Sequence, residues 1–152
     1  MKKMIRKAEI LDGETAAKLA VLLWPEHPVA ELTAEFTTLA ADPEAAVFLA
    51  FDRDTPVGFA QCQLRHDYVE GTSTSPVGYL EGVFVQEEYR RRGVAKKLIL
   101  ACENWAAEQG CAEFASDCEL TNQDSLQFHL NAGFEEANRI ICFTKKLPDM
   151  GR

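Results

Sequence analysis

The most constraining feature of this sequence is a strand that runs into a basic, glycine-containing turn and then into a helix. The strand pattern covers residues 79–85, the turn reads Arg-Arg-Arg-Gly-Val-Ala over residues 90–95, and an apolar stripe with helical spacing follows at once. Such a junction brings unpaired backbone N–H groups, the positive end of a helix dipole and guanidinium groups to one point. We therefore expect residues 90–95 to bind a phosphate-bearing ligand.

Length and composition place the chain among single-domain globular proteins. Its 152 residues are 47% hydrophobic, which is enough for one buried core. The apolar runs are short, and the amino terminus lacks the apolar block of a signal peptide, so we expect a cytoplasmic protein that does not enter a membrane. We assign residues 1–147 to the domain and residues 148–152 to a short carboxyl-terminal tail.

A net charge of −8 disfavours nucleic acid and anionic membranes as partners. An acidic protein attracts cations, so a polycationic small molecule is a natural substrate, although many cytoplasmic proteins are acidic for no such reason. The basic run Arg90–Arg92 stands out against this background. Its compactness fits a single phosphate cluster better than an extended polyanion.

The cysteines and histidines do not have the spacing of a metal site. The five cysteines form no C-x-x-C pair and lie mostly among apolar neighbours, so we expect buried free thiols. Histidines at positions 27, 66 and 129 are too scattered to indicate a ligand set. No cysteine belongs to a recognisable nucleophile–base arrangement, which disfavours a covalent enzyme intermediate.

Hydrophobic periodicity predicts an α/β domain around a mixed sheet. The expected order is a strand, two helices, a hairpin, a fourth strand, a long helix, a short strand, a short helix and one or two final strands. These elements cover residues 4–10, 13–24, 29–42, 46–52 with 57–65, 79–85, 94–110, 113–118, 123–132 and 134–146. Residues 67–76 are rich in Gly, Ser, Thr and Pro, and we expect a loop there that carries substrate contacts.

The junction closely resembles the acyl-CoA pyrophosphate signature of the GCN5-related (GNAT) acetyltransferases. Arg90-x-x-Gly93-x-Ala95 fits that family's spacing, and the predicted order of elements is also the family's. The resemblance implies a single-domain GNAT fold with a mixed, mostly antiparallel sheet whose fourth and fifth strands splay apart. It also implies acetyl-CoA as the cosubstrate, with no metal.

The resemblance assigns the cosubstrate to the gap between those two strands and to the turn. Main-chain groups around Phe84 and Val85 would bond the pantetheine arm, and Asn122 would contact the same arm. The pyrophosphate would be held by Arg90, Arg91, Arg92, Gly93, Val94 and Ala95. The alternative for the turn is a solvated helix cap whose arginines bind nothing. Gly82 within the strand indicates a bulge, a close backbone approach or a plain packing requirement.

Two carboxylates are candidates for proton transfer. Glu81 lies inside an otherwise apolar strand, where a carboxylate is costly unless it is paired or faces a wet cleft. Asp117 ends the next predicted strand, so both would form an anionic pocket for an ammonium group, and one could accept the amine proton. A structural ion pair or a solvated edge position is the alternative for Glu81, and a helix or turn cap is the alternative for Asp117.

His129 occupies the position at which the family usually carries a tyrosine that protonates the leaving thiolate. Asn122, Ser125, His129 and the pair Gly133–Phe134 match the spacing of that pattern. Neutral imidazole can hydrogen-bond a sulfur atom and imidazolium can donate a proton. A partly buried packing histidine is the alternative.

Further segments narrow the resemblance to the aminoglycoside 6′-N-acetyltransferases of bacterial resistance. They are residues 23–28, residues 65–71, and the fourth strand followed by Ala-Ser-Asp at 115–117. The resemblance implies a sugar site lined by Trp24 and Tyr68, in which Glu81 and Asp117 receive the ammonium groups and Glu70 and His27 lie close by. The alternatives are that Trp24 only anchors the first helix and that Tyr68 only packs within its loop. Aromatic faces pack on sugar rings, and carboxylates pair with ammonium groups. Asn138 departs from the pattern, because many of these enzymes carry an acid there.

These observations predict an enzyme that transfers an acetyl group from acetyl-CoA directly to the 6′-amine of an aminoglycoside, conferring resistance. An acetyltransferase for another amine, such as a polyamine or a protein amino terminus, is one alternative. A non-catalytic module that binds CoA or a cation is the other. We also expect a homodimer, since family members commonly dimerise and the apolar run at residues 140–143 is compatible with an interface.

Overall fold

The computed structural model describes residues 3–151, and its regular elements lie on either side of one sheet. In chain order they are β1 (Lys3–Lys7), α1 (Gly13–Leu23), α2 (Val29–Ala41), β2 (Ala45–Asp52), β3 (Thr55–Arg65), β4 (Val77–Val85), α3 (Val94–Glu108), β5 (Phe114–Ala115) and α4 (Gln123–Asn131). Up to residue 131 this order is the one that the sequence predicts. The largest difference in length is β5, which is two residues long instead of six.

The sheet has the strand order β1-β2-β3-β4-β5. The first four strands pair antiparallel, whereas β4 and β5 are parallel and pair only at Gly78 with Phe114 and at Tyr79 with Ala115. Beyond Tyr79, β4 continues to Val85 with no partner on the β5 side. The expected mixed, mostly antiparallel sheet with splayed fourth and fifth strands is therefore confirmed.

A β-bulge in β4 lies where the splay begins. Gln61 pairs with Gly82 and Cys62 pairs with Leu80, which leaves Glu81 as the extra residue. A bulge bends its strand and changes the direction of the side chain that it carries. Gly82 also permits a close approach, because a Cβ atom at this position would lie 2.7 Å from the Trp24 ring.

Two apolar cores cover the two faces of the sheet. On one face α3 buries Leu98 and Ile99 against β2 and β3. On the other face α1 and α2 pack against Phe59, whose ring meets that of Phe36 edge to face with centroids 5.7 Å apart. The end of α1 and the start of α3 consequently both lie next to β4. Within residues 3–151, no helix has the length and apolar character needed to cross a membrane.

The carboxyl-terminal part of the chain corrects the sequence-based expectation. One or two final strands are expected over residues 134–146, but residues 134–151 form no regular structure. Ile140, Ile141 and Phe143 are exposed, the last at 86%. A strand needs a neighbouring chain to pair its N–H and C=O groups. The apolar alternation of this segment is visible in the sequence, whereas its pairing partner is not.

The cysteines are free, as expected, but fewer of them are buried than the sequence suggests. Cys62 and Cys102 are buried, Cys111 is half-buried, and Cys118 and Cys142 are exposed. A hydrogen bond with the Cys62 thiol, together with burial, raises the pKa of Cys102 far above the ordinary range. The Cys62 and Cys102 thiols are therefore unreactive and belong to the apolar core.

Candidate active site

A cleft of about 1020 Å³ opens where β4 and β5 separate. It is bounded by the end of α1, the start of α3 and the inner side of α4. The predicted site residues along its wall are Trp24, Glu81, Phe84, Val85, Arg90, Arg91, Gly93, Val94, Ala95, Asp117, Asn122 and His129. One cavity thus contains all three candidates for proton transfer and most of the candidates for cosubstrate binding.

The turn before α3 is built to present backbone N–H groups. Arg91 and Gly93 have φ angles of +65° and +79°. Gly93 is the N-cap residue and has no side chain to cap the first helical turn, so the first N–H groups of α3 have no partner within the helix. Left-handed residues beside a helix amino terminus form a concave anion site. The turn therefore fits a diphosphate group.

The arginines of the turn have different roles. Arg90 Nε donates to the Val85 carbonyl oxygen at 2.7 Å, and its guanidinium lies over the Phe84 ring. This bond fixes the direction of the turn relative to β4. Arg91 lines the cleft. Arg92 does not, and its guanidinium lies 5.5 Å from the centroid of the Tyr89 ring.

The two candidate carboxylates both line the cleft and have different partners. The Tyr79 hydroxyl donates to Asp117 Oδ2. Burial and the Asp117 carboxylate raise the pKa of Tyr79 well above its usual value, so the phenol stays protonated and remains a donor. Arg65 Nη2 donates to Glu81 at 2.9 Å and 3.2 Å. Glu81 is thus neutralised by a cation, whereas Asp117 has a neutral donor.

Arg65 connects the two carboxylates through an aromatic ring. Its guanidinium carbon lies 3.5 Å from the centroid of the Tyr79 ring, within the range of a cation–π contact. The order of contacts is Glu81, Arg65, Tyr79, Asp117. Sequence reasoning missed the roles of Arg65 and Tyr79. The shared strand face of Tyr79 and Glu81 was the available signal, but the position of Arg65 depends on the register between β3 and β4.

His129 lies on α4 with both ring nitrogens in contact with protein atoms. Nδ1 is 2.7 Å from the Ser125 carbonyl oxygen, and Nε2 is 2.9 Å from Ser116 Oγ. A carbonyl oxygen can only accept, so the neutral ring carries its hydrogen on Nδ1 and accepts from Ser116 at Nε2. Ser116 also lines the cleft. Sequence reasoning missed this residue, because a serine after a short strand carries no signal of its own.

Asn122 has a structural contact besides the one expected of it. Its side-chain oxygen accepts from the Ser125 N–H at 3.0 Å and caps α4. The cap considered as an alternative for Asp117 is therefore supplied by Asn122. The NH₂ group of Asn122 is not used by the cap and remains a donor for a further partner.

The predicted sugar-site residues do not all meet in this cavity. Trp24 lines the cleft and packs edge to face on Phe59, with centroids 5.9 Å apart, so it both anchors α1 and contacts the cleft. His27, Tyr68 and Glu70 lie outside the cavity wall. His27 is 3.3 Å from Glu31, and the Tyr68 hydroxyl donates to Glu70 at 3.1 Å.

A splayed strand pair has here an anion site at one end and carboxylates at the other. This is the arrangement of a transferase that takes an acyl group from a donor with a nucleotide tail. Such a domain places a thioester and an amine in one gap. Residues 16–134 match the model of the Acetyltransferase (GNAT) family, and the chain belongs to that family.

Characterised relatives share most of the chain. Identity is 42% over 146 residues with the aminoglycoside N(6′)-acetyltransferase type 1 of Stenotrophomonas maltophilia, which covers 94% of this chain and 93% of the relative. The sequence identity is also 42% with the enzyme of the same name from Salmonella typhimurium, over 124 residues that cover 82% of this chain and 86% of that enzyme.

Solved structures agree with the fold. AAC(6′)-Iy, in complex with the bisubstrate analogue CoA-S-monomethyl-acetylneamine, superposes with a TM-score of 0.92 at 38% identity, over 97% of this chain and 100% of that one. The 6′-N-acetyltransferase AAC(6′)-Ih from Acinetobacter baumannii superposes with a TM-score of 0.90 at 36% identity, over the same fractions.

Replacing Gly93 by alanine tests the anion site. A side chain in the left-handed conformation costs about 1–2 kcal/mol, and the added methyl group projects from the backbone that faces the phosphate. We expect the Kd for CoA, measured by calorimetry, to rise about tenfold or more, equivalent to one lost charge-assisted hydrogen bond.

Gly110→Ala is the matched control. Gly110 follows the other end of α3, has a φ of +92°, and like Gly93 has open space around the added carbon. It should lose similar stability and keep its CoA affinity within about twofold. Equal losses of CoA affinity in both variants would show that the turn is not the phosphate site.

Proposed function

We propose that the protein transfers the acetyl group of acetyl-CoA to the 6′-amine of aminoglycosides and thereby confers resistance to them. The observation that carries the proposal is one cleft with an unsatisfied helix amino terminus at one end and two carboxylates at the other. A CoA diphosphate fits the first end and an ammonium-bearing sugar fits the second. The N(6′) specificity in the names of the relatives supports the choice of amine.

The transfer forms a C–N bond and breaks the thioester C–S bond. The amine loses one proton, and the departing thiolate gains one. Along the splayed part of β4, near Phe84 and Val85, N–H groups on the β5 side have no strand partner. They would donate to the thioester carbonyl oxygen as it becomes negative, which is the largest single contribution in many acyl transfers.

We assign the amine proton to Asp117. Its carboxylate lines the cleft, and its partner is a neutral donor, the Tyr79 hydroxyl, so no ion pair with that partner has to be broken when the amine binds. Glu81 is already paired with a guanidinium, which suits it to holding a second ammonium group of the substrate. Trp24, whose ring packs on Gly82 beside Glu81, would pack against the sugar ring.

We assign protonation of the thiolate to His129 and Ser116 acting together. In the imidazolium form, His129 donates from Nε2 to Ser116 Oγ while the Ser116 hydroxyl donates to the sulfur atom. The ring is left neutral, with its remaining hydrogen directed at the Ser125 carbonyl oxygen. The fixed position of the ring supports this role better than a packing role alone.

The function is tested by thiol release from acetyl-CoA with a 6′-amino aminoglycoside and with its 6′-hydroxy analogue. We expect rapid thiol release only with the amine, and a product whose mass has increased by one acetyl group at the 6′ nitrogen. No acetyl-enzyme should accumulate in a single turnover, because transfer is direct.

The same assay separates the alternatives. Faster turnover of a polyamine or of a peptide amino terminus than of the aminoglycoside would identify another amine as the substrate. Tight CoA binding with no turnover of any amine would identify a binding module. Either result would end the present proposal.

Asp117→Asn tests the proposed base. It keeps an oxygen that can accept from Tyr79 but cannot take up the amine proton, so we expect kcat to fall by about 100-fold or more. Glu119→Gln is the matched control, since Glu119 is an exposed carboxylate that lines the same cleft two residues further on. If Asp117→Asn keeps more than half of the wild-type kcat, another group is the base.

We also propose that the protein is a homodimer in which residues 135–147 pair with a second copy. This segment has no regular structure, is exposed and is rich in apolar side chains, and β5 offers an edge with no partner on its outer side among the described residues. Ala137 already lies against Gly71, in the loop that carries Tyr68 and Glu70. Pairing there would place the second copy next to the loop that carries Tyr68 and Glu70. In this arrangement residues 1–147 remain the domain and residues 148–152 the tail.

The double variant Ile141→Asp/Phe143→Asp tests the dimer. Two charges in the apolar run should prevent pairing, so light scattering should give a mass near the 16.9 kDa of one chain instead of twice that value. Leu11→Asp, at an exposed apolar position far from the segment, is the control and should stay dimeric. A wild-type protein that is monomeric at micromolar concentration would contradict the proposal.

We place the protein in the cytoplasm. Cys118 and Cys142 are exposed free thiols, which persist in a reducing compartment. The acidic surface is compatible with a partner that is neither nucleic acid nor an anionic membrane.

A further inference from the structure

We propose that Arg65 is a resident cation that occupies the place of a substrate ammonium group, and that it limits how strongly the site selects for highly charged amines. The inference rests on the proposed function and concerns the specificity of the same site. It depends on three observations, which are the pairing of Arg65 with Glu81, its contact with the Tyr79 ring, and the different partner of Asp117.

The contacts of Arg65 are those that an ammonium ligand would make. Arg65 is the last residue of β3, and its guanidinium pairs with Glu81 at 2.9 Å while lying 3.5 Å from the centroid of the Tyr79 ring. A carboxylate on one side and an aromatic face on the other are the usual surroundings of a bound ammonium group. The guanidinium therefore satisfies a cation site from within the chain.

The pairing is strong enough to compete with a ligand and exposed enough to be displaced. The Glu81 side chain is 22% exposed and the Arg65 side chain is 40% exposed. A half-buried carboxylate is costly without a cation, so one is present before any substrate arrives. A guanidinium at this level of exposure can move into solvent when another cation replaces it.

Asp117 and Glu81 differ in their partners, and this difference affects how the substrate binds. Asp117 accepts from a neutral phenol, so this partner does not offset the negative charge that the reacting amine meets. A second ammonium group of the substrate reaches Glu81 only by displacing Arg65 or by binding beside it, against the repulsion of a like charge. Arg65 thus reduces the benefit that a substrate gains from each additional positive charge.

Arg65→Gln tests this inference through KM measured on a series of aminoglycosides that share the 6′-amine and differ in their number of other amines. We expect KM to fall by about three- to tenfold for the members with the most amines, with little change for those with the fewest. KM in the variant should also rise more steeply with salt concentration. Without its guanidinium partner, Glu81 attracts the substrate amines more strongly, and salt screens that attraction. The KM for acetyl-CoA should not change.

Two further variants separate this effect from a structural one. Arg65→Lys keeps the charge, so it should keep the wild-type order of KM values. In a Glu81→Gln background, Arg65→Gln should no longer lower KM, because the freed carboxylate is then missing. If Arg65 only supported the fold, Arg65→Gln would lower kcat for every substrate alike and the lysine variant would share the defect.

Arg6→Gln is the matched control for net charge. Arg6 lies on β1, at the opposite edge of the sheet. It pairs with Asp12 at 2.7 Å and lies over the Phe51 ring. The exposures of the two side chains, 38% and 16%, are similar to those of the Arg65 pair. Removing this positive charge should leave every KM unchanged, since the lost charge is far from the cleft.

The outcomes distinguish this inference from the proposed function. Turnover of aminoglycosides by the wild type, with KM values that Arg65→Gln leaves unchanged or raises, would overturn the role of Arg65 and leave the function standing. No turnover of any aminoglycoside by the wild type would overturn the function itself. A selective fall in KM for the most charged substrates supports both.

Discussion

The site depends on how early the pairing between β4 and β5 ends. After two residue pairs the strands separate, and the backbone groups of β4 that face β5 lose their partners. Buried N–H and C=O groups must be satisfied. Ser116 Oγ lies 3.3 Å from the Leu80 carbonyl oxygen, and its one hydrogen can go either to that oxygen or to His129 Nε2. The other unpaired groups of β4 form a strip to which an amide-containing chain such as pantetheine can bond.

In the proposed function, the bulge at Glu81 and the turn at Gly93 adapt this gap to two ligands of opposite charge. The bulge adds one residue to β4, and the Glu81 carboxylate lines the cleft beside Asp117. At the other end of the strand, Arg90 bonds the Val85 carbonyl oxygen and sets the direction of the turn. A protein with a net charge of −8 thereby keeps a local anion site close to a cation site.

The sequence predicts the parts of this account that depend on local chemistry. A glycine before an amphipathic stripe specifies the start of α3. A glycine in an apolar strand leaves a bulge, a close approach and a packing requirement open, and the structure shows the Trp24 ring packed on Gly82 next to the bulge. The membership of the GNAT family follows from the same junction and is confirmed by the match over residues 16–134.

The parts that sequence reasoning missed depend on register and on partners distant in sequence. Arg65 lies next to Glu81 through the pairing of β3 with β4, whose register shifts by one residue at Glu81, and neither composition nor spacing reveals that register. Ser116 follows β5 and contacts His129 on α4, and this contact depends on how the two elements pack. The prediction of final strands over residues 134–146 was wrong for a related reason. The apolar pattern of these residues favours a strand, but it does not show which chain would pair with that strand.

A crystal structure with a bisubstrate analogue that joins CoA to an aminoglycoside would show whether one gap between β4 and β5 holds both substrates. We expect pantetheine bonded to the backbone of residues 83–85, the diphosphate at residues 90–95, and the sugar amines facing Asp117 and Glu81. A CoA moiety bound elsewhere, or a sugar remote from both carboxylates, would contradict it.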